Sequence, residues 1–174
     1  MGTTNFNDLA VDTISLGGTA IAATADEINR AVDVSARIVN VTAATLTATE
    51  ALHDSKIVTL NRAGGIAVTL PAATGSGARY RFIVGTTFTT AGTIKVTGDD
   101  TMAGNAIIAQ DGGDTSVMFE AGATADTITM DGSTTGGLKG AEAELIDIAA
   151  DLWFVRYVSA ATGTEATPFS ATVT

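Results

Sequence analysis

The stretch Lys56-Ile57-Val58-Thr59-Leu60-Asn61-Arg62-Ala63-Gly64-Gly65-Ile66-Ala67-Val68-Thr69-Leu70 decides the fold class. Two short runs of β-branched and aliphatic residues flank a cluster containing Asn and two glycines, the pattern of strand, turn and strand. Working outward, the same pattern recurs at Arg37-Ile38-Val39-Asn40-Val41-Thr42, Arg79-Tyr80-Arg81-Phe82-Ile83-Val84 and Thr93-Ile94-Lys95-Val96-Thr97. Further strand candidates lie at 106–109, 115–120, 125–130, 144–148, 153–158 and 169–173, between turn clusters such as Thr74-Gly75-Ser76-Gly77, Gly98-Asp99-Asp100 and Gly112-Gly113-Asp114. About eleven short strands with turn signals every eight to twelve residues predict an all-β fold. The expected architecture is an antiparallel sandwich or a jelly-roll-like barrel, because a parallel α/β sheet would need helices between its strands.

Alternation assigns faces. Tyr80, Phe82 and Val84 share one side of their strand and are predicted to be core. Trp153, Val155 and Tyr157 alternate with Phe154, Arg156 and Val158, so that strand is apolar on both faces apart from one arginine. It is expected to be sandwiched or to lie at a subunit boundary, with Trp153, Phe154 and Tyr157 as interface candidates. Residues 1–24 are too poor in apolar side chains for a core of their own and read as an extended arm. Phe6, Leu9, Val11, Ile14 and Leu16 are its candidate contacts with a partner. Thr24-Ala25-Asp26-Glu27 fits a capping box, and Ile28 and Val32 follow at helical spacing, which predicts one short helix over 25–35. The β-domain is expected to fill 36–174.

The chain has 174 residues, the size of one ordinary domain. Its 31 Ala, 30 Thr and 19 Gly, against six Phe, two Tyr and one Trp, leave few bulky side chains for a core. Burial of such side chains supplies most folding free energy, so association with further copies is an expected source of stability. The formal charge of −10 opposes binding to a phosphate backbone or an anionic membrane. No stretch reaches the ~18–20 consecutive apolar residues of a membrane span, and no basic start marks a secretory signal. The absence of cysteine excludes disulfides and thiol chemistry.

Little in the sequence resembles catalysis or cofactor binding. His53 is the sole histidine, and Asp54 beside it cannot form a relay, because sequence neighbours seldom point at one another. It reads as a loop or strand-end residue, and a histidine zinc site lacks a second imidazole. Gly132-Ser133-Thr134-Thr135-Gly136-Gly137-Leu138-Lys139-Gly140 departs from a phosphate-binding loop, since Leu138 separates glycine from lysine and Gly140 replaces the hydroxyl residue. It reads as a turn. Acidic residues cluster at Asp99 and Asp100, at Asp111 and Asp114, and at Glu142, Glu144 and Asp147, without the spacing of a helix–loop–helix calcium site. They read mainly as solvated turn charges. Asp99, Asp100, Asp111 and Asp114 are also the carboxylates a small glycan hydrolase would need. No metal and no cofactor is expected.

Three stretches resemble elements of tailed-bacteriophage virion proteins, including those of marine phages. They are Thr24-Ala25-Asp26-Glu27-Ile28-Asn29-Arg30, the run from Val68-Thr69-Leu70-Pro71 through Gly77 into Tyr80-Arg81-Phe82, and Ser159-Ala160-Ala161-Thr162-Gly163-Thr164-Glu165 through Ser170. The resemblance implies a non-enzymatic structural protein, a capsid decoration protein that docks on the head exterior and reinforces the shell. Its implied partners are its own copies, as a homotrimer, and the major capsid protein, which the arm would contact. A head or tail fibre module binding a host-surface glycan or protein is the alternative.

Overall fold

The computed structural model describes residues 15–20, 22–24, 28, 37–112 and 115–173, and the chain divides into two units, Met1–Val34 and Ser35–Thr174. Within the first, β1 (Ser15–Leu16) pairs antiparallel with β2 (Thr19–Ala20). Gly17 and Gly18 both have positive φ, +58° and +83°, the geometry of a two-residue hairpin turn. This tight turn lies within the stretch read as the arm. Phe6, Leu9, Val11 and Ile14 lie outside the described residues, as does the helix expected over 25–35 apart from Ile28. The Ile28 amide donates to the Thr24 carbonyl at 3.0 Å, one helical hydrogen bond.

The second unit is the all-β sandwich the sequence predicts. After β3 (Ile38–Val41) and β4 (Thr45–Thr47) comes a one-turn helix, α1 (Glu50–His53). The chain continues through β5 (Ile57–Leu60), β6 (Ala67–Thr69), β7 (Arg79–Val84) and β8 (Gly92–Lys95). It ends with β9 (Thr101–Ala109), β10 (Ser116–Glu120), β11 (Thr127–Met130), β12 (Glu142–Ala149), β13 (Leu152–Ala160) and β14 (Phe169–Ser170). One sheet has seven strands in the order β10-β9-β13-β12-β7-β5-β3, the other five in the order β14-β11-β8-β6-β4.

Both sheets are mixed, where antiparallel pairing was expected. β3, β5 and β7 run parallel in one sheet, and β4, β6 and β8 run parallel in the other. Parallel neighbours require a long crossover, commonly a helix. Here the crossover is the intervening strand of the opposite sheet, so the chain winds three times around the core with the one-turn α1 as the one helix described in its crossovers. The remaining strands close the body antiparallel, except that β13 runs parallel to β9.

Alternation sends Tyr80, Phe82 and Val84, Met102, Ala106 and Ile108, and Trp153, Val155 and Tyr157 inward from the seven-stranded sheet. They meet Val68, Ile94 and Ile128 of the five-stranded sheet in one core. Tyr80 stands edge-on to Trp153, with ring centroids 5.6 Å apart, and stacks on Phe82 at 6.5 Å. Gly104 sits in mid-strand with φ +148°, where a Cβ would meet the Val155 carbonyl oxygen at 1.9 Å. The β9–β13 contact therefore requires glycine at this position.

Candidate interaction surface

Trp153 and Tyr157 were interface candidates, and the structure corrects both: they are fully buried within their own chain. A nine-residue strand with a core on one side buries alternate residues, and theirs is the inward set. Phe154, from the outward set, is 37% exposed. Of the arm candidates, only Leu16 falls within the described residues, in β1.

Phe154 belongs to a larger surface. The outer face of the seven-stranded sheet carries every large apolar side chain exposed among the described residues except Leu52: Ile38, Ile107, Met118, Ile148, Phe154 and Val158. Strand register aligns them. One row across the sheet reads Met118, Ile107, Val158, Glu142, Ile83, Thr59 and Asn40. The next reads Glu120, Asn105, Arg156, Glu144, Arg81, Ile57 and Ile38, and a third contains Ala103, Phe154, Ile146 and Arg79. The middle of the face is a grid of opposite charges. Arg79 Nε donates to Glu144 at 2.6 Å, and Arg81 bonds both oxygens of Glu142 at 2.8 and 3.0 Å. Beside this grid, Ser55, Lys56, Ile57 and Arg156 join it in lining an open groove of about 480 Å³.

The opposite outer face has a different chemistry. Its rows are Thr45, Ala67, Thr93 and Thr129, and then Thr47, Thr69 and Lys95, with Thr127 at the end of the second row buried against Asp126 and Thr172. The threonines satisfy β propensity without offering much apolar area.

Asp147, read as a solvated charge, is instead an acceptor for the protein's own backbone, as are Asp126 and Asp131. Asp147, 2% exposed, receives the amides of Thr74, Gly75 and Ser76 at 2.7–3.1 Å and the hydroxyls of Thr74 and Ser76 at 3.2 and 2.9 Å. Burial alone would raise its pKa; these donors outweigh burial and bring it down to about 2. The loop from β6 to β7 is thus fastened to β12. Asp126 fastens the C-terminal segment through the amides of Thr172 and Val173. Asp131 fastens the turn at 132–136 through the amides of Ser133 and Thr135. For both, burial raises the pKa and the donors together lower it by more, leaving each below the ordinary carboxylate value.

The three hydrolase candidates within the described residues do not converge. Asp100 is buried and accepts from the Ala73 amide at 2.7 Å and from Trp153 Nε1 at 3.2 Å, which makes it a core residue. Asp99 is exposed, Asp111 accepts from the Gly163 amide at 3.4 Å, and Asp114 lies outside the described residues. Among the described residues, no three His, Cys, Asp or Glu side chains are grouped to hold a metal ion.

His53 is buried at the end of α1, and its Nδ1 accepts from the Thr49 amide at 3.0 Å. This bond caps a helix whose Thr49 side chain makes no cap. Burial lowers the imidazole pKa, the hydrogen bond with the Thr49 backbone opposes it, and the nearby Lys56 charge adds to the lowering. The residue is structural. Among the described residues no helix is long and apolar enough to cross a membrane.

Part of this surface was legible beforehand: apolar residues on both faces of β13 were visible, but the alignment of Met118 and Ile107 with Val158 depends on a parallel pairing that no local pattern encodes. No family model, no curated protein and no solved structure matches this chain.

Proposed function

We propose that this protein is a non-enzymatic structural component of a tailed-bacteriophage virion, a capsid decoration protein that sits on the head exterior as a homotrimer and reinforces the shell through the major capsid protein. The observation that carries this reading is the contrast between the two outer faces of the sandwich, one covered in threonine and the other broad, apolar and charge-paired. Contiguous exposed apolar area of this kind marks an interaction surface. Loops fastened by Asp147, Asp126 and Asp131 make the body rigid enough to serve as a building block. The formal charge of −10 opposes contact with packaged DNA or with an anionic membrane and suits the solvated capsid exterior.

Imaging of intact virions labelled for this chain tests the reading. Label over the whole head, at a copy number matching shell symmetry, is expected; label at the tail alone would overturn it. Deletion of residues 2–23 is expected to abolish binding to heads while sparing the β-domain. The groove lined by Lys56, Arg79, Arg81 and Arg156 together with Glu142 and Glu144 is where the alternative, a head or tail fibre module binding a host-surface glycan or protein, would take its ligand. Binding to sialylated or sulfated sugars on a glycan array would select that alternative.

A further inference from the structure

We infer that copies of this chain associate through the outer face of the seven-stranded sheet, burying Met118, Ile107, Val158 and Phe154 against a second copy. The inference rests on the building-block reading and deepens it by naming the surface and its occupant.

Charge identifies the occupant. The strands of this face carry Arg79, Arg81 and Arg156 against Glu120, Glu142 and Glu144, three charges of each sign, with Lys56 beside them in the groove, within a chain whose formal charge is −10. Two acidic copies repel over most of their surface, and this face is an area where they meet without net repulsion. Arg156 and Glu144, neighbours in the middle row, offer a second copy one charge of each sign to pair with. A strongly basic partner would find no excess of negative charge here and would be drawn to the acidic remainder.

Size agrees. Strands of four to nine residues, about 4.8 Å apart and rising about 3.3 Å per residue, give the face a projected area of about 700 Å². That is close to the ~800 Å² each partner contributes to a stable interface. The arrangement matches a stable interface in composition too, with aliphatic and aromatic side chains at one side of the grid and arginine within it.

The test uses the full chain in solution, apart from any virion. Sedimentation equilibrium at tens of micromolar is expected to find an oligomer. Val158→Glu should weaken association by at least about tenfold, the loss expected at the centre of an interface. Thr47→Glu, on the opposite face, should leave it unchanged, and circular dichroism should find both variants folded. Because the chain has no cysteine, Val158→Cys supplies a single thiol. A short bismaleimide should join two copies through it and should fail with Thr69→Cys. A monomeric wild-type chain, or an oligomer indifferent to Val158→Glu while broken by Thr47→Glu, overturns the inference. A monomer whose Val158→Glu variant no longer binds heads assigns the face to the shell protein, which overturns self-association and leaves the decoration reading standing.

Discussion

Replacing Asp147 by Asn tests whether a buried carboxylate holds the β6–β7 loop. The ordinary carboxyl value is 3.8 and the folded protein brings Asp147 down to about 2. The shift of nearly two units is worth about 2.5 kcal/mol of stability near neutral pH. Asparagine keeps one acceptor oxygen and turns an NH₂ toward amides that are themselves donors, so buried N–H groups lose their partner at a further cost of about 1 kcal/mol. The predicted loss is therefore about 3–4 kcal/mol near neutral pH, measured by urea unfolding. The proton linkage fixes the sign: the folded carboxyl has the lower pKa, so its contribution is complete above the unfolded value and is lost as pH falls through 3.8 toward 2. The gap between wild type and variant should close by about 2 kcal/mol between about pH 6 and about pH 2. Asp99→Asn, at an exposed turn position, should change stability by less than about 0.5 kcal/mol. A loss at Asp147 no larger than at Asp99, or a gap that does not depend on pH, would refute the assignment.

Three further outcomes follow from the same geometry. Folding lowers the His53 pKa below 6.5, so stability should fall as pH drops through that value, and unfolding midpoints of His53→Gln should be flatter between about pH 7 and about pH 5 than those of wild type. The two buried tyrosines should respond oppositely to loss of the hydroxyl. Tyr157 accepts from the Gly137 amide at 2.9 Å and donates to the Thr135 carbonyl at 3.3 Å, so Tyr157→Phe should cost about 1–2 kcal/mol. The Tyr80 hydroxyl is buried without a hydrogen-bond partner, so Tyr80→Phe should be neutral or stabilising in the same denaturant titration. Gly104→Ala drives a methyl into the Val155 carbonyl and should cost about 3 kcal/mol, read as a lowered Tm in calorimetry.

The strands were legible because each is a local event, a short run of alternating side chains between turn residues. Lys56–Leu60 and Arg79–Val84 announce themselves in this way, and the core face of Tyr80, Phe82 and Val84 follows directly. The sheet to which each strand belongs is not local. Nothing in Ile38–Val41 or Thr45–Thr47 says that they lie in different sheets, and Thr45–Thr47, with Leu46 alone apolar, is too weak a run to register as a strand. Parallel pairing was missed for that reason. The roles of Asp147, Asp126 and Asp131 were hidden because an aspartate in a turn has the same sequence context whether it faces water or a ring of amides. The helix at Glu50–His53 escaped notice because its cap is an imidazole four residues downstream, in place of the usual hydroxyl or carboxylate.

The triple winding of β3–β8 has a bearing on how such a body could change in length. Each lap contributes one strand to each sheet and contacts only the laps beside it, so a lap is a removable unit, as a repeat is in a solenoid. Duplicating the lap that holds β5 and β6 would extend the barrel-like stack by one strand spacing, about 4.8 Å, without altering the antiparallel half that bears Trp153. Spacers of graded height could be made by iterating one segment.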